Sequence, residues 1–303
     1  MDIYLPIAGM SVNALLMVAL GFLVGILSGL FGVGGGFLTT PLLIFYGIPP
    51  SVAVASATTQ LTGASVSGVL AHMRRGGVDL RMGGVMIAGG LVGSGVGAII
   101  FRLLQTSGQI DTVIGVLYVL LLGSIGILML RDALIALGWV KVAAPVQGRP
   151  RHNRWVAGLP GRWRFYASGL YLSPIAPALL GFAAGMLTVL LGVGGGFILV
   201  PAMIYLLGMA ARVVVGTSLV MILAVSAATT MLHALTTHSV DIVLAALLLV
   251  GGVVGAQIGA ILTTRIKPDL LRLSLAVIIL MVALRVALGL TYRPDEIFSI
   301  EYL

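Results

Sequence analysis

Cysteine is absent from this chain of 303 residues, and charged residues make up only 9% of it. The first absence excludes disulfides, thiolate nucleophiles and cysteine-ligated metals. The second excludes an ordinary soluble domain, in which roughly 25% of residues are charged. No H-E-x-x-H arrangement exists, since neither His72 nor His233 has a neighbouring Glu, so a zinc hydrolase of that kind is excluded as well. No metal site and no cofactor are expected. The N-terminus has no basic stretch before its first apolar run, so a cleaved signal peptide is not expected.

What fills the chain instead is apolar. Hydrophobic residues reach 59% and the mean hydropathy is +1.17. An ionised side chain in hydrocarbon is costly, so long uncharged runs point to a lipid bilayer as the solvent. The net charge of +8 does not indicate nucleic acid. The basic residues lie between apolar segments and form no stripe with interleaved aromatics. Positive loops of this kind set membrane orientation.

The chain repeats itself. Residues 21–48 read GFLVGILSGLFGVGGGFLTTPLLIFYGI, and residues 181–208 read GFAAGMLTVLLGVGGGFILVPAMIYLLG. Gly21, Gly25, Gly32, Gly34, Gly35, Gly36, Phe37 and Pro41 recur in constant register as Gly181, Gly185, Gly192, Gly194, Gly195, Gly196, Phe197 and Pro201. With small slips, His72 then matches His233, Val78-Asp79 matches Val240-Asp241, and Gly89, Gly90, Gly93 and Gly97 match Gly251, Gly252, Gly255 and Gly259. Duplication is the reading these matches demand.

Each half offers the same five apolar segments, at 11–31, 37–48, 52–73, 82–104 and 110–130, then at 174–191, 197–208, 212–233, 241–264 and 270–290. Four in each half approach the roughly 20 residues of a spanning helix. The second in each is too short and reads as a half-helix or re-entrant piece. The expected fold is therefore all-α: a polytopic transmembrane helix bundle of two homologous repeats, 1–130 and 173–303, with broken or re-entrant helices. Between them, 131–172 carries seven basic residues among Pro145, Pro150 and Pro160 and reads as a basic cytoplasmic linker. Its Trp155, Trp163, Phe165 and Tyr166 suit a bilayer interface. Arg74, Arg75 and Arg81 mark the loop before the fourth segment, whereas in the second half Arg265, Lys267 and Arg272 mark the loop after it. The basic side has swapped, which is the pattern of an inverted repeat.

Candidate chemistry sits where helices break. Consecutive glycines let the backbone leave helical geometry, and non-helical backbone at membrane depth is tolerated only within protein or beside a polar cavity. The helix that follows presents unpaired N–H groups, which bind anions without a basic side chain. Gly34, Gly35, Gly36, Phe37, Gly194, Gly195, Gly196 and Phe197 are thus candidate substrate contacts. The other glycines, spaced by four, suit close helix packing. The motif lacks the Lys-Ser/Thr of a nucleotide loop. Ser56, Thr59 and Gln60 in one half, and Thr217 and Ser218 in the other, either donate to an oxyanion or bond between helices. His72 and His233 either relay a proton or face water at a helix end. Asp79 and Asp241 read as helix caps. Arg285 either snorkels outward or faces a cavity.

The doubled pattern G-x₃-G-x₆-G-V-G-G-G-F-x₃-P, at 21–41 and 181–201, resembles the sulfite exporter TauE/SafE family of membrane transporters. The resemblance covers both membrane halves and leaves out the basic linker. It implies an inner-membrane carrier, often an exporter, for sulfite, thiosulfate or small sulfonates, with the glycine motifs and adjoining polar residues forming the substrate path. The implied partners are a small anion and the lipid bilayer, with no nucleic acid. Two other readings stay open at this point. A carrier for another solute is one, although a cation site would want carboxylates at mid-membrane. A non-transport membrane scaffold is the other, although a scaffold needs no inverted repeat.

Overall fold

The structure is a computed structural model, and it describes residues 2–31, 36–74, 76–137, 160–262 and 268–291. Two sets of elements follow in the same order. A hairpin of β1 (Asp2–Leu5) and β2 (Met10–Asn13) leads into α1 (Ala14–Phe31) and a short α2 (Gly36–Phe45). Then come α3 (Pro50–Arg74), α4 (Leu80–Thr106) and α5 (Ile110–Ala136). The second set opens with β3 (Trp163–Phe165) and β4 (Leu170–Leu172), followed by α6 (Ile175–Leu191) and a short α7 (Gly196–Tyr205). It continues with α8 (Ala211–Leu232), a π-helical turn at His233–Thr237, α9 (Ile242–Leu262) and α10 (Pro268–Thr291).

The two hairpins depart from the all-α expectation. The first helix was expected from residue 11 and begins at Ala14, because Ser11, Val12 and Asn13 pair back on Tyr4, Ile3 and Asp2. Leu5 and Phe165 anchor their hairpins by being fully buried. As a result α1 and α6 have 18 and 17 residues, short of the roughly 20 that cross a bilayer upright.

Five stretches are both long and apolar enough to span: Leu80–Thr106, Ile110–Ile135, Val213–Thr237, Ile242–Gly259 and Leu273–Thr291. With 25 residues, α3 is long enough too, at roughly 37 Å. Its serines, threonines and Gln60 make it too polar to face lipid. Its first half lies instead inside the bundle, with Ala53, Val54, Ala55, Ser56, Ala57 and Thr58 fully buried, while Val66, Leu70 and Met73 farther along are exposed. Leucines, valines and isoleucines such as Leu91, Ile99, Leu120, Ile127, Leu179 and Ile261 are exposed on the outer helices. An apolar exterior over a partly polar interior is the arrangement a bilayer selects. The chain is a multi-pass membrane protein.

The halves interlock. α1 runs parallel to α9, with Gly21 against Leu248 and Gly25 against Gly252, and α4 runs parallel to α6, with Gly89 against Ala178 and Gly93 against Phe182. By contrast α3 and α8 are antiparallel, since Thr59 meets Thr230, Thr62 meets Ser226 and Gly68 meets Leu219. The pair α5 and α10 is antiparallel as well, with Gly115 against Leu290 and Gly126 against Leu280.

Two slips in the sequence match have structural counterparts. Four residues, 46–49, join α2 to α3, and five, 206–210, join α7 to α8. Five residues lie between His72 and Val78, and six between His233 and Val240. The additional one falls where α8 widens into its π-turn, the usual way a helix absorbs an inserted residue.

The parallel pairs depend on bare glycine surfaces. A β-carbon at Gly93 would overlap the Phe182 carbonyl, whereas one at Gly95, in the same helix, would meet nothing within 4 Å. Gly93→Ala is therefore expected to lower stability by about 1–3 kcal/mol through overpacking. Gly95→Ala should be neutral or slightly stabilising, because alanine is the better helix former. Thermal unfolding of both variants in detergent checks this, and equal melting temperatures would remove the close-packing account.

Candidate functional site

The second glycine motif breaks the helix as its composition demands. α6 ends on Gly192 with φ +70°, and Gly194 and Gly195 also hold positive φ, at +71° and +70°. An L-side chain rarely adopts that region, so glycine is needed for the chain to turn and restart as α7. Gly196 and Phe197 form the first turn of α7, where backbone N–H groups have no partner within the helix. In the first half α1 ends at Phe31 and α2 restarts at Gly36. Gly34 and Gly35 lie outside the described residues.

The two restart points meet. A β-carbon on Gly36 would come within 2.5 Å of the Gly192 carbonyl oxygen, with the Val193 carbonyl next to it. Gly192 in turn faces Thr40 of α2, whose Oγ1 would lie 2.8 Å from a β-carbon on that glycine. The Thr40 hydroxyl is fully buried, sits beside the Tyr118 hydroxyl of α5, and makes no hydrogen bond of acceptable geometry. Tyr118 itself donates to the Leu191 carbonyl, at the end of α6. An unpaired buried hydroxyl is unfavourable by about 1–3 kcal/mol, and such groups are rare enough to require a reason.

Next to this junction is a small cavity of about 20 Å³, bordered by Ser28, Gly36, Gln60, Leu61 and Gly252. That is room for about one water molecule. Leu61 closes it on the side of the second motif, where its side chain rests directly on Gly194. Gln60 spans three helices. Its Oε1 accepts from Thr39 at 3.2 Å and its Nε2 donates to the Leu248 carbonyl at 3.3 Å. Phe37 is completely buried beside these groups.

The remaining sequence candidates are placed elsewhere. Thr59 donates to Ala55 and meets Thr230 at 3.4 Å, on the seam between α3 and α8. Ser218 donates to Val215 within its own helix. Ser56 and Thr217 serve the caps of the neighbouring half: the Asp241 N–H reaches Ser56 Oγ at 3.4 Å, and the Asp79 N–H donates to Thr217 Oγ1 at 2.9 Å. Each aspartate then caps a helix, Asp79 accepting from Met82 N–H at 3.0 Å and Asp241 from Leu244 N–H at 3.1 Å. Their second oxygens hold the hairpins. Asp79 accepts from the Ser168 N–H and hydroxyl, and Asp241 accepts from the Ile7 N–H.

His72 is half-buried in the last turn of α3. His233 does not face water. It is 1% exposed, with Nε2 3.1 Å from the Val189 carbonyl, Nδ1 3.4 Å from Thr237 Oγ1, and its ring edge-on to Phe101 at 4.8 Å. Arg285 lies over the Phe45 ring at 5.5 Å and is exposed. Sequence reasoning passed over Thr39, Thr40 and Tyr118. A signal for the threonines was present: they stand where the second half has Leu199 and Val200, so polarity in only one copy marks them. No group of carboxylates and histidines able to hold a metal occurs among the described residues.

Comparison with known proteins decides the family. The model for "Sulfite exporter TauE/SafE" matches residues 17–286. The chain belongs to the TauE/SafE family. Bacillus subtilis "Probable membrane transporter protein YjnA" is 32% identical over 281 residues, covering 91% of this chain and 99% of the relative. A Xylella fastidiosa "Probable membrane transporter protein" is 29% identical, covering 85% and 88%. "Probable membrane transporter protein YunE" of Bacillus subtilis is 26% identical, covering 88% and 94%. No solved structure matches the chain. As a TauE/SafE member the protein is a membrane transporter and not an enzyme, and its family implies a small substrate.

The aspartate caps generate a stability prediction. Asp79→Ala removes acceptors for Met82 and for two Ser168 donors in a site only 2% exposed. It should destabilise the protein by about 1–3 kcal/mol. Asp79→Glu is expected to recover part of that loss, and an unchanged melting temperature for Asp79→Ala in detergent would contradict the capping role.

Proposed function

We propose that this chain is a secondary transporter that carries small sulfur-containing anions (sulfite, thiosulfate or small sulfonates) across the inner membrane, in the export direction, by alternating access. The observation that carries the reading is the junction of α2 with the loop after α6. There a buried, unpaired Thr40 hydroxyl, an N-terminal helix turn and an interrupted backbone share one spot between the halves. Neutral donors of this kind can bind an oxyanion and still let it go. A desolvated salt bridge would hold it too tightly for turnover.

In this reading the two repeats, 1–130 and 173–303, are inverted, and the basic linker 131–172 is cytoplasmic. The antiparallel packing of α3 on α8 and of α5 on α10 supports inversion, because matching helices of the two halves then point in opposite directions. The glycine residues 34–36 and 194–196, with Phe37 and Phe197, form the hinge and wall of the path. Gln60 lines its α3 side, whereas Thr59 lies on the α3–α8 seam and Ser56, Thr217 and Ser218 lie away from the junction. Leu61, resting on Gly194, closes it in this conformation. The group for proton coupling is His233, the histidine buried in the bundle among the described residues. His72 is its counterpart at the helix end.

Sulfur chemistry enters from the family description alone. A carrier for another small organic anion is the second reading, favoured because the relatives matched nearly end to end are named as membrane transporters without a substrate.

Flux of labelled sulfite and thiosulfate into proteoliposomes, with carboxylates as competitors, tests both readings. Saturable sulfite flux blocked only by sulfur oxyanions supports the first; preferred carboxylate flux moves the assignment to the second. Thr40→Val tests the site. Removing an unpaired hydroxyl should leave the melting temperature unchanged or raised by a few degrees, while flux falls by at least about tenfold. Full flux in Thr40→Val would refute the assigned junction.

A further inference from the structure

We propose that Arg81, Arg164 and Tyr166 form an oxyanion-binding cleft at the end of the molecule where the second hairpin meets α4, a site separate from the transport path. The cleft has a volume of about 440 Å³ and is lined by Arg81, Trp163, Arg164, Phe165 and Tyr166. The guanidinium of Arg81 lies 5.1 Å from the centre of the Tyr166 ring and that of Arg164 lies 6.0 Å from it. Two cations thus share one aromatic ring. Both line one cleft, where a bound anion can receive forked N–H donors from them.

Asp79, two residues before Arg81, directs its hydrogen bonds to other partners. Both oxygens of Asp79 are used, one by Met82 and the other by Ser168. Nor does the helix call for a cation. Arg81 occupies the second position of α4, where the positive end of the helix dipole disfavours one.

The opposite end of the molecule supplies the control. The hairpin β1–β2 sits on Asp241 at the start of α9 just as β3–β4 sits on Asp79 at the start of α4. In that copy Val243 stands in place of Arg81, Tyr4 in place of Arg164 and Pro6 in place of Tyr166. The same capped hairpin is therefore built without any of the three, and its architecture cannot be the reason for them. Trp163, Tyr166 and Tyr171 are all largely exposed around the cleft, as amphipathic rings are at headgroup level. The ligand chemistry is a phosphate-like oxyanion, supplied either by an anionic phospholipid headgroup or as a free ion.

The test uses the full chain purified in neutral detergent. Phosphatidylglycerol and, separately, sodium sulfate at constant ionic strength are titrated while thermal unfolding is followed, with phosphatidylcholine as the neutral control. Phosphatidylglycerol is expected to raise the midpoint of the wild type, and R81Q/R164Q to weaken that apparent affinity by about tenfold. A matching response to sulfate, lost in the same variant, assigns the cleft to free oxyanions. A response to phosphatidylglycerol alone assigns it to lipid. R81K/R164K keeps the charge but not the fork, and should fall between the two even if R81Q/R164Q fails to fold. Titrations of R81K/R164K that match the wild type with both probes overturn the proposal.

Discussion

A helix that stops inside hydrocarbon leaves backbone groups that only other protein can cover, and the whole arrangement follows from meeting that demand twice. The end of α6 and the start of α2 cover each other: Gly36 closes on the carbonyls of Gly192 and Val193, and Gly192 closes on Thr40. Such an approach requires neighbouring helices to bring backbone to backbone, which is why glycine faces line α1 against α9 and α4 against α6. The interruptions and the close-packed pairs are one design. Filling the glycine faces would separate the helices and expose the breaks.

Exchange between the halves recurs at the caps. The N–H of Asp79, in the first half, is held by Thr217 of the second, and the N–H of Asp241 is held by Ser56 of the first. Each aspartate also secures the hairpin that precedes the other half's first helix. The start of α4 is therefore fixed relative to α6, its parallel partner, and the start of α9 relative to α1. What lies between these two pairs, α3 against α8, is a seam of hydroxyl contacts at 3.0 to 3.4 Å. In a membrane such contacts contribute only about 0.6 kcal/mol each on average.

Much of this was legible in the sequence because a recurring motif is a signal independent of hydropathy. The repeated GVGGGF predicted a break at Gly194–Gly196, and the positive φ values there are its physical form. The one-residue slip between His233 and Val240 was visible as well, though not that a π-turn would absorb it. The hairpins were not legible. Strands of three or four residues lie next to an apolar run, and their hydropathy merges with the helix that follows. Ser56 and Thr217 were marked as polar groups in apolar helices, but their bonds reach across 185 and 138 residues of chain. No local pattern encodes a partner so distant. Which of the two readings of His233 holds was not legible for the same reason, since Phe101 and Val189, which bury it, come from other helices.

The two copies are most informative where they differ. Scaffold residues recur: the glycines, the prolines at 41 and 201, the capping aspartates and a hydroxyl at 56 and 217. Thr39 and Thr40 face Leu199 and Val200 in the match, and Arg81 and Arg164 face Val243 and Tyr4. A position polar in one copy and apolar in the other is not needed to build the fold, because the fold has been built both ways. Its polarity then needs another cause. Of these two departures, one lies at the junction of the interrupted helices and the other at a single end of the molecule.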